Sequence, residues 1–481
     1  MIKIFHRFRS TCDLLGHHKE LENQEIYFAA PEELNDPMEG FKDIYWHGDE
    51  VVWENLIKHY LLCLEHVCSL FIIGDMVTNI VTKDIPVFKT EEWLPTPQYR
   101  QLFKEIRDKF FGNDSIGQYP KNLSRRSTPV RRSELLMYIK LLHAYALDTI
   151  FTAYESHNLI AKRSEIFYQM AKKALLDSEA LFNAANKTEA KHPNNEYATD
   201  TFFSLAIYTA TQLDLITRYN SPSPDNGNKA FVFLNFPEEY IHAIEKLIYP
   251  DWYTACFIAK CDNSSVWGHY GDKHRGVCLS FKAEPENDNV FIKLHGVNGW
   301  NNSGPTYGKT KHTFFKIDYE KKPVEVDFFR SLGCLPRPVL TKFWYANENG
   351  LRSACADDLF DAEEQWRDKH WTNFYKGTTT KLKDWKYEEE YRLILSSSLQ
   401  DIGDPAIRKL KYDFDALESI TFGIKTAIED KVKIMKIIEA KCQSKNRKDF
   451  KFYQAYYSSQ KGSIDRFEMS MIKFADDKVA L

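Results

Sequence analysis

The sequence predicts an α+β protein with a mixed or antiparallel β core formed from both chain ends and a large helical insertion. Three observations predict this. Strand-like runs rich in β-branched and aromatic residues occur at Ile26-Tyr27-Phe28 and then only from Trp252 onward. Apolar residues three and four apart fill the interval from Val51 to about Arg218. The breaker-rich run Ser221 to Asn228, with Pro222, Pro224 and Gly227, closes that interval. The expected division is 1–48 plus 250–460 as a discontinuous core, 49–249 as the insertion, and 461–481 as a C-terminal tail.

The first strand carries His6, Arg7 and Arg9. Later strands are expected at Trp252 to Ala259, Gly276 to Lys282, Phe314 to Tyr319, Tyr391 to Leu395, Ser419 to Gly423 and Phe450 to Tyr457. Within the insertion, Leu135, Leu136, Ile139, Leu142, Leu147 and Ile150 form one helical stripe, and Ser133 is its candidate N-cap. Ile166, Met170, Leu175 and Leu181 form a second stripe, and Phe202, Leu205, Tyr208, Leu213 and Ile216 a third. Asn183 to Asn195 reads as a polar loop. Asn298 to Lys311 reads as a flexible loop because it holds Gly299, Gly304, Pro305 and Gly308, and acidic Leu351 to Lys369 reads as helix.

Among the 481 residues, 64 basic against 68 acidic side chains leave a net charge of −4, so no overall basic footprint marks a nucleic-acid binder. Aromatic residues make up 14% of the chain, enough rigid surface for a core and for stacking a planar ligand. The apolar stretch from Tyr60 to Val77 is interrupted by Glu65, His66 and Asp75, and the amino terminus shows charge too early for a secretory apolar core. The expectation is a soluble, cytoplasmic protein with no membrane partner. Nine scattered cysteines suit reduced thiols, and neither Cys63/Cys68 nor Cys256/Cys261 has zinc-site spacing, so no metal is expected.

Three segments concentrate chemistry. In Asn35-Asp36-Pro37-Met38-Glu39, Pro37 forces Asp36 out of the helical region, making either a structural corner or a rim that holds Asn35 or Glu39. Trp267 to Phe281 packs His269, Tyr270, His274 and Arg275 between glycines. In Lys383 to Leu395, strand alternation would put Glu388, Glu390 and Arg392 on one side and Tyr387, Glu389 and Tyr391 on the other. That side holds either a buried ion pair or a catalytic acid with its orienting partner.

In these three places the chain resembles a widespread bacterial family of uncharacterised proteins. That family carries an Asn-Asp-Pro-x-Glu turn, a Trp-x-His-Tyr-x-x-x-His-x-Gly-x-Cys-x-x-Phe stretch and a Trp-x-Tyr-Glu-x-Glu-Tyr-Arg segment. The resemblance covers roughly Phe5 to Glu39 and Trp252 to Ala455, and implies no settled activity.

The order of these groups is also loosely similar to ADP-ribosyltransferases, which place a His or Arg on an early strand and a Glu on a late one. This resemblance implies NAD as a substrate, with Glu390 or Glu388 stabilising an oxocarbenium-like ribose and His269 and Tyr270 completing the catalytic set. Arg7, Arg9 and Arg275 are candidates for the pyrophosphate, and Asn35, Asp36, His274 and Arg392 for the remaining nucleotide contacts. The expected role is an NAD-consuming effector of a bacterial toxin or antiviral defence module, acting on a protein or nucleic-acid target. The alternatives are a nucleotide or nucleic-acid sensor, with Arg125, Arg126, Arg131 and Arg132 as a phosphate-contacting run, and a metal-assisted nuclease. The helical insertion is expected to act as a lid, partner surface or oligomer interface.

Overall fold

The computed structural model describes residues 3–74, 79–163, 165–193, 195, 197–220, 227–319, 322–397 and 402–474. The chain is α+β and divides into two units, each described by itself. A β unit comprises Met1–Phe41, Asp251–Pro323 and Tyr375–Leu481, and a helical unit comprises Lys42–Pro250 and Val324–Phe374.

The β unit is built on one large sheet. Its main path runs Ser463–Glu468, Lys451–Ser458, Leu417–Phe422, Val277–Glu286, Lys3–Arg9, Trp252–Ile258, Glu390–Ser396 and Phe315–Lys316. The amino-terminal strand Lys3–Arg9 is therefore inserted between Val277–Glu286 and Trp252–Ile258, both from the later part of the chain. Pairing along this path is antiparallel except between Leu417–Phe422 and Lys451–Ser458, which are parallel and joined through the helix Ile428–Lys445. That helix buries Ile434, Ile438 and Cys442, four residues apart, and so presents one stripe to the core. Phe5 stacks on Phe314 with ring centroids 4.2 Å apart, and Phe257, Phe281, Leu393, Ile420 and Phe422 complete a dry interior. Truncating a fully buried ring such as Phe5 to Ala is expected to cost about 3–5 kcal/mol.

Several expectations change on the structure. Asn298 to Lys311 is not a loop, because Asn289–Asn301 and Gly304–Thr313 pair as a long hairpin. Its glycines serve a register shift between Val297 and Gly299 and a turn in which Gly304 has φ +115°. Residues 461–481 are not simply a tail, since Ser463–Glu468 forms the outer strand of the sheet. Of Phe314 to Tyr319, only Phe315–Lys316 pairs as strand.

The helical unit includes the helices Glu50–Ile73, Pro97–Phe111, Asp114–Ser124, Arg132–Ser156, Glu165–Lys191 and Ala198–Tyr219. It also holds a small sheet in which Val324–Asp327 runs parallel to Lys42–Trp46 and Val130–Arg131 runs antiparallel to it. These ladder bonds place 324–374 with the helical unit, where the sequence suggested core. Arg131, the end of the strand Val130–Arg131, occupies the N-cap position of helix Arg132–Ser156 without a side-chain cap, and Ser133 instead bonds Ser204. Asn183 to Lys191 continues a helix where a loop was expected. The third stripe lies on the helix Ala198–Tyr219, yet Phe202, Leu205, Tyr208 and Ile216 are exposed. Most of Ser221 to Asn228 lies outside the described residues. Among the described residues two helices, Glu50–Ile73 and Arg132–Ser156, are long and apolar enough to cross a membrane, and most of their apolar length is buried.

Candidate functional site

The site is assembled in the β unit from the Asn-Asp-Pro corner upward. Asp36 Oδ1 accepts from the Met38 amide at 2.9 Å, and the Glu39 amide donates to the Asp36 carbonyl at 3.1 Å. Asp36 thus spends its carboxylate on the turn. The turn carries the Glu39 side chain into a buried charge cluster, while Asn35 stays exposed.

The second wall comes from Lys383–Glu388, which is a 3-10 helix where strand was expected. Glu389 then adopts a left-handed conformation with φ 48°, and the strand begins at Glu390. This kink, and not strand alternation, brings Glu388 and Glu390 to the same cluster.

Glu388 Oε2 and Glu390 Oε2 accept from Lys381 Nζ at 2.9 and 3.2 Å, and Glu39 Oε1 lies 3.2 Å from the same ammonium. Arg392 is completely buried and donates to Glu390 Oε1 at 2.7 Å, to Glu39 Oε1 at 2.8 Å and to the Thr378 carbonyl at 2.9 Å. The Tyr270 hydroxyl donates to Glu388 Oε1 at 2.8 Å, and the Glu390 amide donates to the Tyr319 hydroxyl at 2.9 Å. Three carboxylates thus share two cations.

Burial acts against ionisation of Glu390, but the adjacent Arg392 and Lys381 outweigh it and hold its carboxyl down at about 2. Glu388 goes the other way. Burial raises its pKa, with Glu390 adding repulsion, and Lys381 only partly offsets this. Lys381 stays charged because Glu390, Tyr270, Glu39 and Glu388 together overcome its burial.

A cleft of about 410 Å³ opens above this cluster, lined by residues including Arg7, Arg9, Tyr27, Asn35, Glu39, Cys256, His269, Tyr270 and Lys381. Arg7 is only 7% exposed. Its Nη2 donates to the Tyr27 carbonyl at 2.9 Å and its guanidinium lies 5.6 Å from the Phe257 ring centre. Among the described residues it makes no ion pair. Burial, and then the charge of Arg9, lower its pKa to about 10, against the more distant charges of Glu20 and Asp13, which favour the cation. Arg9 is different, pairing with Glu20 and Asp13. His269 is exposed on the cleft, with its ring 6.3 Å from that of Trp385.

Residues 266–393 match the model of a protein family of unknown function, DUF2971. No curated protein and no solved structure matches the chain. The DUF2971 match contains His269, Tyr270, Lys381, Glu388, Glu390 and Arg392. Arg7, Arg9, Asn35 and Glu39 reach the same site from outside it. The matched segment also includes 324–374, which belongs to the helical unit.

Not every candidate residue lines the cleft. Glu388, Glu390 and Arg392 lie behind its floor, and Asp36 is buried in the corner. His274 and Arg275 lie outside it. They close a turn in which Asp272, Lys273 and His274 are all left-handed, with φ 45°, 53° and 69°, and Arg275 pairs with Asp272 at 3.2 Å. Gly276 ends this turn, and a Cβ there would collide with the Arg9 carbonyl. His6 turns away to Ser280, its ring bonded at 3.0 Å.

Lys381 escaped sequence reasoning. Lys381 follows three threonines outside any strand pattern, and only its contacts reveal it. The basic run in the helical unit is largely consumed by ion pairs, Arg126 with Glu134 and Glu189, Arg131 with Asp43 and Glu325, and Arg132 with Glu245. Among the described residues no group of three His, Cys, Asp or Glu side chains is arranged to hold a metal ion.

Proposed function

We propose that the cleft of the β unit binds a phosphate-bearing nucleotide and that, with NAD as that nucleotide, it cleaves the bond between nicotinamide and ribose. The observation that carries this reading is Arg7, a buried guanidinium on the cleft wall that makes no ion pair among the described residues. An unpaired buried cation is costly, and an anionic ligand relieves that cost. A phosphate offers the guanidinium charge-assisted hydrogen bonds of the strong kind.

In this reading the pyrophosphate lies against Arg7, with Asn35 at the rim, and Tyr270 offers a ring face to nicotinamide. Glu39 is the cluster carboxylate that lines the cleft, so it takes the ribose-facing place, with Glu390 and Glu388 holding the floor behind it. The glycosidic C–N bond breaks and its electron pair leaves with nicotinamide. A water or a target nucleophile adds to the ribose carbon, and His269 accepts its proton. Attachment to a macromolecular target within a toxin or defence module is the wider setting of this proposal.

The test is nicotinamide release from NAD by the full chain. Release that falls at least about 100-fold in Glu39→Gln supports the assignment, on the scale of a lost electrostatic stabiliser. Release unchanged by Glu39→Gln overturns it. A second reading, nucleotide sensing without turnover, is favoured by one observation: Glu388 spends its hydrogen bonds on Tyr270 and Lys381, and Glu390 and Arg392 spend theirs on each other, on Lys381, on Glu39 and on the Thr378 carbonyl. ADP-ribose binding without nicotinamide release would select it.

A further inference from the structure

The helical unit holds a cavity of its own, about 410 Å³ in volume, which shares no residue with the cleft of the β unit. Its size falls within the range of about 300–1,000 Å³ usual for small-molecule sites. Helix Glu50–Ile73 lines one side with Asn55 and His59, whose hydrogen bonds are already made. His59 bonds the Tyr240 hydroxyl and the Val87 carbonyl, each at 2.8 Å, and Asn55 Nδ2 donates to the Trp344 and Ala346 carbonyls, each at 3.0 Å. Val339, Phe343 and Trp344 give the cavity an apolar and aromatic wall.

The charged lining residues are paired with one exception. Glu91 meets Arg107 at 2.7 Å, Glu348 meets Lys58 at 3.3 Å, and Glu92 meets Lys342. Lys58 and Arg107 have further partners in Glu54 and Asp108. Lys89, the fourth lining cation, is half-buried and makes no ion pair among the described residues. Glu65 feels its charge only from beyond ion-pair distance, and gives its two oxygens to Tyr154 and Tyr99, each at 2.8 Å. The next residue, Thr90, also lines the cavity and is 4% exposed. It stands at the N-cap of Glu91–Trp93, yet its hydroxyl caps nothing and has no hydrogen-bond partner among the described residues. A buried hydroxyl without a partner is uncommon, and an acceptor brought by a ligand satisfies it.

We propose that this cavity binds a small carboxylic acid with an aromatic body. The carboxylate accepts from the Lys89 ammonium and the Thr90 hydroxyl, and the ring lies against Val339, Phe343 and Trp344. A phosphate fits this lining less well, because Glu91, Glu92 and Glu348 would repel its second charge and Arg107 is already held by Glu91. The proposal is independent of the nucleotide reading of the β unit.

The test is calorimetric titration of the full chain with cinnamate, beside cinnamamide as its uncharged counterpart. Saturable binding of the acid is expected, with a dissociation constant of about 1 mM or below. The amide should bind at least about 10-fold more weakly, the scale of a lost charge-assisted hydrogen bond. Lys89→Met is expected to weaken the acid by at least about 10-fold and Thr90→Val by about 5-fold, while Arg7→Met leaves it unchanged. The comparison of acid with amide is made in the wild type, so it does not depend on the folding of any variant. No saturable binding of the acid up to about 10 mM, or equal binding of acid and amide, overturns the proposal. So does an affinity for the acid that Lys89→Met leaves unchanged. Loss of acid binding in Arg7→Met overturns it as well, by moving the acid to the cleft of the β unit.

Discussion

Arg392 and Arg7 lie two strands apart in the same sheet, both buried, and differ in what they touch. Arg392 meets Glu390, Glu39 and a carbonyl, so its charge is answered from within the fold. Arg7 has one carbonyl, an aromatic face and the cleft. The difference separates a charge that holds the site together from a charge that awaits something. It also separates the acidic residues, because Glu390 is held behind the floor by Arg392 and Lys381, whereas Glu39 touches the same cations and also lines the cleft.

The comparison breaks first at Arg392. Replacing it with Met strands Glu390 and Glu39 in a buried cluster, and is expected to cost about 3–5 kcal/mol. Chemical denaturation followed on the β unit measures this, and a loss below 1 kcal/mol would show that the cluster is not held as described. Arg7→Met is expected to do the reverse, leaving stability unchanged or higher while ADP-ribose affinity falls about 10-fold or more, the scale of a lost charge-assisted bond.

A smaller effect sharpens the same contrast through pH. Glu390 ionises with a pKa near 2 in the folded state against an ordinary 4.5. The folded state therefore binds this proton less readily than the unfolded chain, so the contribution of Glu390 is complete above about 4.5 and is lost as pH falls from there through 2. Glu390→Gln should flatten that part of the stability profile relative to the wild type. A profile with unchanged slope in the variant would place the acid sensitivity elsewhere. The smallest effect belongs to Arg125→Ala in the helical unit. Arg125 is exposed beside arginines already engaged by acids, and its replacement should alter stability by less than about 0.5 kcal/mol, as measured by thermal unfolding.

The large sheet was legible because its strands carry dense apolar and aromatic runs that no other element explains, Trp252–Ile258 and Leu417–Phe422 among them. The hairpin Asn289–Thr313 was not, because its glycines read as loop punctuation while in space they serve a shifted register and a turn. The short strands Lys42–Trp46 and Val324–Asp327 also escaped, since each is defined by a partner far away in sequence.

The site followed the same rule. Asn35, Glu39, Tyr270, Glu388, Glu390 and Arg392 stand in segments with unusual local chemistry and could be picked from the sequence. Whether each faces the cleft or supports its floor depends on a left-handed Glu389 and on Lys381, and neither leaves a local signature. His274 and Arg275 show the converse, since their density of charge reflects a tight turn closed by Gly276.

Calorimetric titration of the full, reduced chain with ADP-ribose, beside Arg7→Met, tests the central claim most directly. The account predicts saturable binding by the wild type and an affinity at least about 10-fold weaker in the variant, with both proteins equally folded. Absence of binding by the wild type, or equal binding by the two, would contradict it.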